Sequence, residues 1–345
     1  MMNLKQLMLS GLFVFVWSLL IAQKVQSTKD FFKDTTIIKV TVSTDVRNLQ
    51  RQKTNPVFQP AKFTWHNADS SGDVTEVVKI KQRGNMRKQQ CYMAALMIDF
   101  SIKGNTSRLQ NLGEIKWVAP CNFNKESEQW LLKEFLIYKL YNAITDYSFR
   151  VRLIELNLED EKQKVKPVTN FAFAIEPVDD LAKRLKCDEV KGVVVNTERT
   201  NRAQTTLLML FQYMIGNTDW SVPNYHNVKL VKPADSLQAP PYIIPYDFDY
   251  AGAVNTPYAV PYEGLPITTV QERYYLGFPR TIEEIKLVIE DFQARRESLL
   301  RIIQEFPLLA RNHKGQMSGY IDEFFNLVKS ERYLKYNFID NARKQ

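Results

Sequence analysis

The sequence predicts an α+β fold of two lobes with a cleft between them, the first rich in strands and the second in helices. Three observations carry this. Residues 35–120 run in short β-branched stretches broken by turn residues. Residues 125–146 change to a helical period, and beyond Pro177 long helical patterns dominate. Strands segregated from helices in this way define the α+β class, and a cleft between two such halves is where ligands gather.

The strand segments come first. "TTIIKVTVSTD" (35–45) and "TEVVKIKQRGN" (75–85) carry β-branched residues in alternation, and "YMAALMIDFSI" (92–102) and "GEIKWVAP" (113–120) continue the pattern. Gly104-Asn105 and Gly113 mark turns. "KESEQWLLKEFLIYKLYNAITD" then places Leu131, Phe135, Tyr138 and Tyr141 on one helical stripe. Two further strands, "RVRLIELNLED" (150–160) and "NFAFAIEP" (170–177), flank a charged turn. The helix-rich part includes "RTNRAQTTLLMLFQYMIG", ending on the capping residue Gly216, the segment 281–306, and a last helix from about Ser318 to Tyr336. The domain boundaries expected are 1–22, 23–176 for the strand-rich lobe, and 177–345 for the helical lobe.

The 345 residues are 45% hydrophobic and 24% charged, which places the chain among globular proteins and against wholesale disorder. The net charge of +8 is diffuse; it suits small anions such as nucleotides, and no nucleic-acid partner is expected. Lys5 followed by an apolar run from Leu7 to Ala22 has the layout of a secretory signal peptide cleaved after Ala22. The run is shorter than the roughly 20 residues of a spanning helix, so a secreted or periplasmic chain without a stable membrane span is expected. Under export, Cys91–Cys121 is the expected disulfide, with three reduced cysteines as the alternative. With three histidines and no CxxC, a zinc site is not expected.

The chemistry-bearing residues cluster late. "GNTDWSVPNYHNVKL" (216–230) offers Asp219, then Asn227 at the head of an apolar strand. "YIIPYDFDYAG" (242–252) delivers Asp247 and Asp249 after a second strand. A hairpin of the two strands around "KPADSLQAP" would bring Asn227 and Asp247 to one end. Hard oxygen ligands of this kind, completed by substrate phosphates, make a magnesium–nucleotide site. Taken singly, the same Asn and Asp residues are ordinary turn formers.

The order Asp…Asn, then Asp-Phe-Asp, resembles the catalytic half of protein kinases, and more closely the atypical kinases of the CotH and HipA type. "IKQRGNMRK" is similar to the RGN strand element of CotH-like proteins, and "IKWVAPCN", "FAFAIEPVDDLAKR" and "FQYMIGNTDWS" resemble segments of their secreted branch. The likeness spans about residues 75–275. It implies a protein-kinase-like bilobal fold and phosphoryl transfer from ATP, with Mg or Mn, to a protein hydroxyl. Asp219 would accept the hydroxyl proton, and Asn227, Asp247 and Asp249 would hold the metal, with Asn224 the rival of Asn227. Lys116 would contact nucleotide phosphates with Glu134 as its ion-pair partner. Arg83 would neutralise phosphate, and Glu176 would end the hinge segment "FAFAIEP", whose backbone would face the adenine ring. The alternatives are a catalytically inactive pseudokinase or binding module of the cell envelope, or transfer to a non-protein acceptor. The departures are the absent G-x-G-x-x-G loop, the absent His-Arg before Asp219, and Asp249 in place of glycine.

Overall fold

The strands of the first half close on themselves. A computed structural model describes residues 28–66, 72–84, 86–101, 109–236 and 238–343. The expected signal peptide, residues 1–22, lies outside the described residues. Seven strands form a barrel: β1 (Ile38–Thr44), β2 (Gln59–His66), β3 (Val74–Arg83), β4 (Ala95–Asp99), β5 (Glu114–Val118), β6 (Val151–Asp160) and β7 (Val168–Ile175). Their spatial order is β1-β2-β3-β4-β5-β7-β6, and β6 returns to pair with β1. That last pairing is parallel, from Ile38 opposite Ile154 to Thr44 opposite Asp160, and the other six are antiparallel.

This closed barrel overturns the protein-kinase-like bilobal fold, whose first lobe would be an open sheet. The physical reason is that β1 and β6 saturate each other's free edges, which an open sheet would leave exposed. Two buried groups lock the closure. Asp160 Oδ1 accepts from Val46 N–H at 3.0 Å. The Arg152 guanidinium donates to Phe31 O at 3.0 Å and to Asp34 Oδ2 at 2.7 Å, fixing the short helix α1 (Thr28–Lys33) beside β6.

Side-chain alternation divides the barrel wall between two cores. Val40, Val42, Phe63, Ile80, Ile98, Trp117, Ile154, Ala172 and Ala174 fill the barrel interior. The opposite faces of β6 and β7, through Leu153, Phe173 and Ile175, belong to the second core with the helices. Small Ala172 and Ala174 inside and large Phe173 outside let one strand serve both.

The helices are α2 (Val46–Arg51), α3 (Met86–Gln90), α4 (Lys125–Ile144), α5 (Val178–Arg184), α6 (Arg202–Ile215), α7 (Ile282–Gln304), α8 (Arg311–Leu327) and α9 (Glu331–Lys335). α4 is buried on nearly every side, including Lys133 and Glu134, so it is a central helix and not the one-striped helix its periodicity suggested. The last expected helix is in fact two, because Ser330 caps α9 through the Tyr333 N–H and interrupts the run. Among the described residues no helix is long and apolar enough to cross a membrane. Cys91 and Cys121 form a disulfide, and Cys187 is a buried free thiol.

A second, three-stranded sheet of order β10-β9-β8 joins β8 (Cys187–Glu189), β9 (Val228–Pro233) and β10 (Tyr242–Pro245). The β9–β10 hairpin pairs Val228 with Pro245 at the end of the register. Beyond it Tyr246 N–H donates to Asn227 O at 3.0 Å. Asn227 and Asp247 therefore leave the hairpin side by side.

Candidate functional site

The loop carrying Asp219 is shaped by the end of α6. Gly216, with φ 67°, takes the left-handed cap position, and Asn217 N–H closes the turn on Gln212 O at 2.8 Å. A side chain at Gly216 would collide with the Tyr320 hydroxyl, so this position requires glycine for space as well as for φ. Buried Asn217 accepts the Asp219 N–H at 3.0 Å and orients the start of the loop. Ser221 and His226 then bond across it at 3.0 and 2.9 Å, folding residues 219–227 back on themselves.

The result presents Asp219 with its partners. Asn227 Nδ2 donates to Asp219 O at 2.9 Å and to Oδ2 at 2.8 Å, while His226 Nε2 lies 2.6 Å from Oδ1. Both amide hydrogens of Asn227 are thereby committed, and its Oδ1 is left as the acceptor. Tyr225, Asn227 and Asp247 all have positive φ, of 51°, 51° and 64°. Three non-glycine residues in left-handed backbone along one wall is a concentration of strain of the kind that marks functional sites. The loop is tied to the next one by Gly252 N–H on Gly216 O and Ala253 N–H on Ile215 O, both 3.0 Å.

These loops open on a cavity of about 750 Å³. Asp219, Asn227, Asp247 and Asp249 line it together with Arg83, Arg87 and Tyr258. Of the residues expected from sequence, Asp219, Asn227, Asp247, Asp249 and Arg83 meet here, and Asn224 lies at the same cavity. Lys116, Glu134 and Glu176 do not line it.

Each of those three has its own setting. Glu134 is buried on α4, and among the described residues neither carboxylate oxygen has a hydrogen-bond partner. Burial and the neighbouring Asp249 hold its pKa well above the carboxylate range, with Arg87 and Arg83 opposing. No ion pair joins it to Lys116. Lys116, central in β5, has an ammonium 5.6 Å from the Tyr246 ring. Burial, then Arg83 and Lys229, lower its pKa to about 8. Glu176 is held by Arg184 in a two-pronged pair at 3.0 and 2.9 Å and accepts Arg150 N–H at 3.1 Å. It clamps the chain after β7 to α5.

Arg87 and His226 are site residues that sequence reasoning did not assign, while Tyr258 was read only as an aromatic that could shape an acceptor site or pack beside the cleft. Arg87 stood four residues after Arg83 in "RGNMRK", and that second arginine was the available signal. α3 carries Arg87 into the interior, where its Nε is 3.8 Å from Asp249 Oδ2 and has no hydrogen-bond partner among the described residues. Burial opposes its charge, but Tyr258, Asp249, Glu134 and Asp247 outweigh that and raise its pKa. Burial lowers that of Arg83, with Asp247 as the main counterweight. Tyr258 donates its hydroxyl to Asp249 Oδ2 at 2.9 Å. Burial and the charge of Asp247 push Asp249 up to about 7.

Asp247, Asp249 and Asn227 are the oxygen donors of the cavity lining that could take part in holding a cation. Asp247 and Asp249 repel each other across one short segment. Among the described residues no hydrogen bond or salt bridge engages the Asp247 carboxylate, whose backbone N–H is fixed by Tyr138 Oη at 2.8 Å. With Asn227 Oδ1 they offer hard oxygens suited to magnesium or manganese. Among the described residues no group of three His, Cys, Asp or Glu side chains could hold a metal by itself. Such an ion would therefore depend on substrate oxygens, as in nucleotide sites. No protein-family model matches the chain, and no curated protein matches it in sequence. The likeness to CotH-type kinases rests on the motif residues alone.

Proposed function

We propose that this chain is an exported phosphotransferase that binds ATP with Mg or Mn in the 750 Å³ cavity and transfers a phosphoryl group to a protein Ser or Thr hydroxyl. The observation that carries this is the meeting of Asp219, Asn227 and Asp247 with Arg83 and Arg87 in one cavity. Carboxylates for a cation and arginines for phosphate are the two halves of such a site. The proposal does not depend on a kinase fold, since chemistry belongs to sites and not to architectures.

Asp247, Asn227 and Asp249 would hold the metal, which neutralises phosphate charge when bound. Arg83 and Arg87 would bind phosphate oxygens through guanidinium N–H groups, including the two Nε–H that have no hydrogen-bond partner among the described residues. Asp219, held by Asn227 and His226, would orient the acceptor hydroxyl and take its proton. The disulfide agrees with an oxidising compartment, and export by residues 1–22 belongs to the proposal.

A second reading is a nucleotide-binding module without turnover. The engagement of both Asp219 oxygens, by His226 and by Asn227, is the observation that favours it. Incubation with γ-labelled ATP and manganese separates the two. Transfer to the protein itself or to an added protein acceptor supports the phosphotransferase. Transfer that persists in both Asp219→Ala and Asp247→Ala rules out the assigned roles.

A further inference from the structure

We propose that a second cavity, of about 270 Å³ and sharing no lining residue with the first, is a binding site for a small dianionic oxyanion, phosphate or a phosphomonoester. It lies between the end of α1, the last turns of α4 and the turn 145–150, and its charged lining includes Lys33, Lys139, Asp146 and Arg150. Arg184 also lines it. The Arg184 charge is spent on Glu176, so it adds no free cation.

Lys33, Lys139 and Arg150 have no salt bridge or side-chain hydrogen bond among the described residues. The nearby carboxylates are committed: Glu176 to Arg184 and Asp34 to Arg152. Three cations against the single carboxylate Asp146 leave a surplus of two positive charges in the lining, the balance a dianion would supply. Burial, and then the charge of Arg150, lower the pKa of Lys139. Lys139 and Arg150 are half-buried and Lys33 is exposed, and like charges brought this close are stabilised when an anion bridges them.

The α4 C-terminus offsets part of this charge through its carbonyls. Two of those carbonyls are already occupied: Tyr141 O accepts Thr145 N–H at 3.0 Å and Ala143 O accepts from Arg295 at 3.1 Å. The turn itself is braced internally. Asn142 Nδ2 donates to Ser148 Oγ and to Phe149 O, both at 2.9 Å, and Ser148 Oγ donates to Thr145 O at 2.6 Å. The donors left for a ligand are two ammonium groups and one guanidinium fork, which suit the several oxygens of a phosphate.

Inorganic phosphate titrated into the full chain at constant ionic strength should raise Tm saturably by a few degrees. Because Arg83 and Arg87 would also take phosphate oxygens, the rise is read in Arg83→Met, where it should persist, and adding Lys139→Met or Arg150→Met to that variant should abolish it. Phosphoserine as a free amino acid gives the second arm: a steeper rise than with phosphate identifies a monoester as the ligand, and a weaker one identifies free phosphate. A parallel measurement needs no variant. Modification of Lys139 by an amine-reactive reagent, followed by peptide mass spectrometry, should slow several-fold in phosphate. A Tm rise unchanged in both variants, no rise at all, or equal Lys139 modification with and without phosphate overturns the proposal.

Discussion

Asn227 donates both of its amide hydrogens to Asp219, one to the backbone carbonyl at 2.9 Å and one to Oδ2 at 2.8 Å. This one residue closes the loop, fixes the carboxylate, and stands in left-handed backbone with φ 51°. Asn227→Ala removes both bonds and puts an ordinary side chain at positive φ, at an expected cost of about 2–4 kcal/mol. Asn227→Gly should recover about 1 kcal/mol of that, because only the hydrogen bonds are then lost. Urea unfolding of the three proteins checks the order; equal stability of the Ala and Gly variants would show that the backbone term is absent.

Gly252 joins the two site loops through its N–H on Gly216 O at 3.0 Å. A Cβ there would stand 2.3 Å from Val270 O, a backbone atom that cannot swing aside. Gly252→Ala is expected to destabilise by about 1–3 kcal/mol and to weaken nucleotide binding, since it pries the loops apart. Thermal melting with and without ATP is the check. A variant as stable as wild type contradicts the described packing.

Lys116 gives a pH dependence of known sign. Its proton leaves at about pH 8 in the folded chain, against 10.5 for an unperturbed lysine. Between those values the unfolded chain binds more protons, so this residue makes stability rise with pH across that window. Below pH 8 both states are protonated and its contribution is flat. The difference between wild type and Lys116→Met, from denaturant midpoints at pH 7 to 10.5, should climb above pH 8. A flat difference over the whole range would mean that Lys116 is not desolvated.

The Cys91–Cys121 disulfide closes a separation of 30 residues next to α3 and the strand end where Arg87 Nη2 donates to Ala119 O at 3.3 Å. Loop-closure entropy assigns it about 3–4 kcal/mol. The double variant Cys91→Ser, Cys121→Ser should lose roughly that much stability and bind nucleotide more weakly, because Arg87 is carried by the freed segment. Loss of stability without any change in binding would separate the disulfide from the site.

How much of this was legible depended on the range of each interaction. The β9–β10 hairpin was readable because two apolar runs flank a polar turn, and it sufficed to place Asn227 beside Asp247. The barrel was not readable. Its closing step pairs Ile38 with Ile154 in parallel, and a contact across so much chain leaves no local turn signal. β2 does alternate Gln59, Ala61, Phe63 and Trp65 inward, but Pro60 inside the run obscured it. The expected Lys116–Glu134 pair failed because β5 directs Lys116 toward Arg83, Lys229 and Asp247, while α4 buries Glu134 beside Asp249 and Arg87. Glu176 read as a hinge residue, yet its partner Arg184 lies eight positions on, one helix away.

The most direct test of the central claim is a titration of the full chain with ATP and manganese, followed by calorimetry, in wild type and in Asp247→Asn. The wild type should bind with an affinity that depends on the metal, and the variant, which keeps the shape but loses the charge next to Asp249, should lose at least tenfold. Metal-independent binding, or equal affinity in the two proteins, would contradict a metal–nucleotide site at Asn227 and Asp247.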